Sequence, residues 1–168
     1  MHIPRKVVLL LAAAAALVFA VAASARGGDD GKHHEGKGNG TTIFKATLAP
    51  SVPDDVAIHG ITPGGVPWVI SRGSKVELKA DGELELRIRG LIIPGRGDAG
   101  PVTSVSASLL CGVDTTPAAT TGSVPLSSSG NARIEDHITV PATCLAPSVL
   151  VNPNGNAKAY IAVSGWKS

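Results

Sequence analysis

Aromatic side chains are nearly missing from this 168-residue chain: two Phe, two Trp and one Tyr make up 3% of it. Flat ring faces are what sugars and other ring ligands stack on, so a polysaccharide-binding module has little to build with. Cysteine is as scarce. Cys111 and Cys144 stand alone, in no C-x-x-C or C-x-x-H spacing, which argues against a zinc site of the usual kind. Neither sign of charge dominates. The chain has 15 Lys and Arg against 13 Asp and Glu, and Arg5 and Lys6 fall in a segment read below as a leader, so the remainder is formally neutral. That balance gives no affinity for nucleic acid or anionic lipid. Nucleotide, Rossmann, zinc and serine-hydrolase spacings are absent as well. No cofactor and no metal are expected. No stretch sustains a 3.6-residue apolar period, which argues against helices.

What is present begins with one long apolar run. Val7–Ala23 is uninterrupted, preceded by Arg5 and Lys6 and followed by Ala23-Ser24-Ala25, the small-x-small pattern of a cleavage site. Residues 1–25 are expected to be a signal peptide, with an uncleaved anchor as the alternative. Residues 26–40 hold six Gly, three acids, three bases, His33, His34 and Asn39, and no apolar side chain. Such a segment cannot offset its chain entropy and is expected to be a disordered tether. Residues 41–168 are expected to form one domain, secreted or held at the cell envelope. It should be monomeric, with no membrane span once the leader is removed.

Within 41–168, apolar residues recur with period two in short runs separated by Gly, Pro, Asn and Ser clusters. Strands are expected near residues 43–49, 56–61, 66–72, 75–80, 83–93, 102–111, 123–126, 132–140, 148–151 and 157–164. That density suits an all-β, single-domain antiparallel β-sandwich, Greek-key-like, of about 9–10 strands.

One hairpin can be argued to register. Val76 and Leu78 share a face, as do Leu84, Leu86 and Ile88 on the next strand. A slip of one residue would invert every side chain, so the loop must be odd. Ala80-Asp81-Gly82 with a left-handed Gly82 is the shortest such loop, pairing Lys79 with Glu83 and Leu78 with Leu84. A five-residue loop would align Glu77 with Arg87 but remove Leu84 from the core. Burying one Leu is worth roughly 1.5–3 kcal/mol, an exposed ion pair about 1 at most. The shorter loop is expected, with the charged outer face as solvated surface.

Two Cys in an exported chain are expected to be bridged as Cys111–Cys144. For a closed loop of about 34 residues the chain-entropy estimate is roughly 3.5–4 kcal/mol.

Several residues are candidates for chemistry. Asp54, Asp55 and His59 could seat a cation or an acid–base pair, but Pro53-Asp54-Asp55 also reads as a turn. Asp136 falls in the inward phase Ala132, Ile134, Asp136, Ile138. A β-bulge turning it outward is the first expectation, a hydrogen-bonded buried Asp the second, and a catalytic carboxylate the third. Arg96-Gly97-Asp98 forms an Arg-Gly-Asp tripeptide on a Gly-rich turn. Tyr160, in the outward phase of its strand, and Trp166 could make a small binding platform, whereas Phe44 and Trp68 read as core. Tyr160, Trp166, Arg96 and Asp98 are thus the weak binding candidates. The loop tips Thr62–Pro67 and Gly95–Pro101 are the expected display surfaces, being rich in Gly and Pro.

His59–Trp68 (HGITPGGVPW), Arg89–Gly95 (RGLIIPG) and Pro141–Pro147 (PATCLAP) resemble an uncharacterised family of small exported proteins from high-GC Gram-positive bacteria. The resemblance covers nearly all of the chain after the tether. It implies export and a β-fold, and it transfers no site because that family has no assigned activity. The expected function is an exported, non-enzymatic binding or structural domain whose partner is a protein or an envelope component. The alternatives are a polysaccharide-binding module and a hydrolase using Asp54, His59 or Asp136.

Overall fold

The structure is a computed structural model that describes residues 40–165. The expected signal peptide, nearly all of the tether and Trp166 lie outside the described residues. Eleven strands follow one another: β1 (Thr42–Pro50), β2 (Thr62–Pro63), β3 (Lys75–Lys79), β4 (Glu83–Ile88), β5 (Ser104–Leu110), β6 (Ala119–Thr120), β7 (Val124–Pro125), β8 (Ala132–His137), β9 (Ser148–Pro153), β10 (Ala159–Tyr160) and β11 (Ala162–Ser164). Nine of them form one antiparallel sheet, β6-β5-β9-β11-β1-β3-β4-β8, with β7 also on β5; β2 and β10 pair in parallel. The described chain is all-β.

The long strand β1 turns two layers into one sheet. Its first part, through Thr47, pairs with β3, while Leu48–Pro50 pairs with β11. The sheet therefore curls into a half-barrel, with its layers joined through β1. Apolar side chains of both halves meet inside. Val76, Leu78, Leu84, Leu86 and Ile134 come from one half, and Val105, Ala107, Leu109, Val149 and Val151 from the other.

The β3–β4 hairpin has the expected register, with Leu78 opposite Leu84 and Val76 opposite Leu86. Gly82 takes φ +96°, and Lys79 bonds Glu83 at 2.7 Å. Outside, this register sets like charges side by side. Lys75, Arg87 and Arg133 form one row across β3, β4 and β8; Glu77, Glu85 and Glu135 form the next. Like charges directly opposite are destabilising. Pairs between the rows offset this: Arg133 bridges Glu85 at 3.1 Å and also Glu135, Arg87 reaches Glu85 at 3.5 Å, and Lys45 binds Glu77 at 3.2 Å. Thr42 Oγ1 and Lys45 together hold the Glu77 carboxyl below its ordinary range. The core dictates the register, and the surface accommodates it.

Other expectations need correction. Residues 56–61 are not a strand but a tight turn, with Ile58 and Ile61 exchanging both backbone bonds at 2.9 Å. His59 and Gly60 both have positive φ (52° and 81°), the geometry of a two-residue hairpin turn. Residues 66–72 reduce to a single bridge, Val69 with Ile92, because Pro67 supplies no backbone donor for a ladder. The fourth strand ends at Ile88, where Gly90 turns with φ +57° and its N–H goes to Asn131 Oδ1. No bulge turns Asp136 outward. The β4–β8 register is unbroken from Ala132 to His137, so Asp136 keeps its inward phase. It is half-buried and accepts the N–H groups of Gly122 (3.1 Å) and His137 (2.8 Å).

Cys111 and Cys144 are bridged, with Cα atoms 4.8 Å apart. The bond ties the end of β5 to the segment entering β9.

Candidate binding cleft

The two Gly- and Pro-rich tips do not stand apart. Val69 and Ile92 exchange backbone hydrogen bonds of 2.9 and 3.0 Å, which sets the segments that carry the tips side by side. Around Pro63, the backbone is pinned to β10. Thr62 N–H donates to Lys158 O at 3.1 Å, and Gly64 N–H to Tyr160 O at 2.7 Å. The backbone N–H of Trp68 donates to Ser51 O at 2.9 Å, and the residue is 3% exposed. At the second tip, Arg96 and Gly97 both donate to Ile93 O at 2.9 Å, and Ile93 bonds Asp98 O.

Between the tips lies a cleft of about 420 Å³ whose walls include Pro63, Val66, Trp68, Arg96, Val102 and Ile161. That volume falls within the range of small-molecule sites, roughly 300–1,000 Å³. Trp68 Nε1 is buried without a hydrogen-bond partner, an arrangement that costs about 1–3 kcal/mol. Gly64 lies over it. A Cβ at that position would come within 3.0 Å of Nε1 and 3.1 Å of Ile161 Cγ2, so a methyl group fits only if its neighbours give by a few tenths of an ångström. Among the lining side chains Trp68 and Arg96 are donors, and none is an acceptor.

Arg96 and Asp98 close on each other, Nε to Oδ1 at 3.1 Å, and the same oxygen accepts Gly100 N–H at 2.8 Å. The Gly100 donor first, and the Arg96 guanidinium second, hold the Asp98 carboxyl below its ordinary range. Only Nε of the guanidinium is engaged.

Tyr160 is not a platform. It is 1% exposed and its hydroxyl donates to Val56 O at 2.9 Å. Burial, then the Asp55 charge, pushes its pKa up. It points outward from the sheet, as its phase implies, but the 51–61 segment covers it. Ile61, Leu110 and Leu150 complete a second apolar cluster there.

The remaining candidates serve the backbone. Asp54 is exposed, and Asp55 Oδ2 accepts Val52 N–H at 2.8 Å within its turn. No hydrogen bond or ion pair joins Asp54 or His59 to Asp136, which lies on β8 and is committed to Gly122. Among the described residues no three His, Cys, Asp or Glu gather as a metal site would need. A larger open groove of about 680 Å³ runs between Thr47–Pro50 and Ile70–Ser74, but no unpartnered buried donor lies on it. Sequence reasoning placed Trp68 in the core and so missed its polar edge. The signal was the Gly64-Gly65 pair four and three residues before a Trp whose N–H must find a partner once buried.

No protein family, curated protein or solved structure compared with the chain matches it.

Proposed function

We propose that this is an exported, non-enzymatic binding domain, and that its site is the cleft between the Thr62–Pro67 and Gly95–Pro101 tips. The observation that carries the reading is that Trp68, a residue of the wall of a mostly apolar cavity, keeps its indole N–H buried without a partner. A cleft of this kind takes a small apolar ligand with a polar atom to orient it. Export is supported by the apolar run behind Arg5 and Lys6 and by the small-x-small pattern ending at Ala25. The disulfide points the same way. The burial of Tyr160 favours this reading over polysaccharide binding, and the separate commitments of Asp55 and Asp136 favour it over hydrolysis.

An NMR titration with decanol tests it. Shifts should concentrate on the Trp68 indole N–H and on the amides of residues 64–68 and 95–102. Saturating shifts confined to the groove at residues 70–74, or none at all, would sink the reading. Trp68→Phe should weaken binding and cost about 1 kcal/mol of stability, the buried ring volume it removes being offset in part by loss of a donor that has no partner in the free protein.

A further inference from the structure

Accepting that the cleft binds a ligand, we infer that the ligand is an anionic amphiphile: an apolar chain carrying a carboxylate, of the fatty-acid type. The inference rests on what the cleft offers and what it withholds. Its side chains carry donors on two residues, the exposed guanidinium of Arg96 and the buried indole N–H of Trp68, and no acceptor. A ligand bearing oxygens and no N–H group matches that pattern. One bearing an ammonium would meet Arg96, the only charged residue of the lining, with no lining side chain to accept its protons.

Arg96 is poised for a planar acid. Asp98 holds Nε at 3.1 Å and is itself anchored by Gly100 N–H at 2.8 Å, so the guanidinium is oriented before any ligand arrives. Its two terminal nitrogens stay available, and the Arg96 side chain is 59% exposed. Guanidinium edges bind carboxylates through two parallel N–H bonds. Asp98 neutralises part of the charge and water screens the rest, which limits the preference to about tenfold.

The apolar body is accounted for by the remainder of the lining, where Pro63, Val66, Val102, Pro153 and Ile161 present no polar side-chain atom. Trp68 Nε1 lies buried under Gly64, so a water or ligand oxygen reaches it only as that segment shifts. A methyl group at Gly64 would crowd that approach.

The experiment uses decanoate, decanol and decylamine below their micellar concentrations. Binding to the purified chain is read by fluorescence in a Trp166→Phe background, where Trp68 is the sole indole. Decanoate should bind about tenfold tighter than decanol, and decylamine weakest. Arg96→Gln should bring decanoate down to the affinity of decanol and leave decanol unchanged. Gly64→Ala should weaken both, and a thermal midpoint equal to that of the parent would show that the fold survived. Equal binding of decanoate and decanol by the parent protein would overturn the carboxylate inference while leaving the cleft as a binding site. Failure of all three probes to bind would overturn the cleft reading and this inference with it.

Discussion

The two halves of the curled sheet bury their strands in different ways. On the β3–β4–β8 side the alternation is clear, with Val76, Leu78, Leu84, Leu86 and Ile88 inside and rows of Lys, Arg and Glu outside. On the β5–β9 side every residue from Val105 to Leu110 and from Val149 to Asn152 is buried. The chain itself makes the difference. Residues 51–61 and the β2–β10 pair lie over the outer face of β5 and β9, forming the second cluster around Tyr160. Ser106, Ser108 and Asn152, which would be solvated on an open face, are enclosed there. Ser108 Oγ donates to Asn152 Oδ1 at 2.7 Å, and Asn152 Nδ2 to Ala159 O at 2.7 Å. One face of a sheet can stay wet only while nothing packs on it.

The largest effect should come from cutting the covered half loose. Replacing Cys111 and Cys144 together by Ala should lower stability by about 3.5–4 kcal/mol in the chain-entropy picture, read from urea denaturation. A smaller loss than about 1 kcal/mol would mean that packing alone holds β5 against the entry to β9.

Paired leucine truncations then compare the halves directly. Leu86→Ala opens the shared core and Leu110→Ala the outer cluster, and both side chains are fully buried. Each should cost about 3 kcal/mol. If Leu110→Ala cost under about 1 kcal/mol, the second cluster would be a loose cover and not a core.

Tyr160→Phe removes only the bond to Val56 O and should cost about 1 kcal/mol. Amide exchange in residues 55–61 should rise more than exchange in β3 or β4. Uniform acceleration would show that the cover unfolds only with the whole domain.

The open half should answer to charge instead. Lys75→Glu replaces a base facing Arg87 and should stabilise by a few tenths of a kcal/mol, with the gain fading in high salt. Asp98, whose folded pKa is depressed, contributes stability that is present above its ordinary value near 3.8 and is lost as pH falls through the lower folded value. Wild type and Asp98→Asn should therefore converge in stability in acid below that value and differ slightly at neutral pH, as urea midpoints can show.

Much of the open half was readable from residue order. Val76, Leu78, Leu84, Leu86 and Ile88 alternate with charged residues, so the register, the left-handed Gly82 and the outward charges follow from keeping one face apolar. The pairing of Cys111 with Cys144 followed from the presence of just two cysteines in a chain read as exported. The covered half was not readable in this way. Period two places Tyr160 on the outward face, and no local pattern tells whether that face meets water or another segment of the chain. Asp136 shows the same limit, since its inward phase was legible but Gly122, the donor that lets it stay inward, lies 14 residues away. The cleft depends on tertiary structure entirely. Two Gly- and Pro-rich tips were visible as loops, but only the Val69–Ile92 bridge brings them to one cavity. Alternation acts between neighbours in sequence and specifies strands, faces and register. Burial of a face and convergence of two loops depend on segments far apart in the chain, and only their packing decided them.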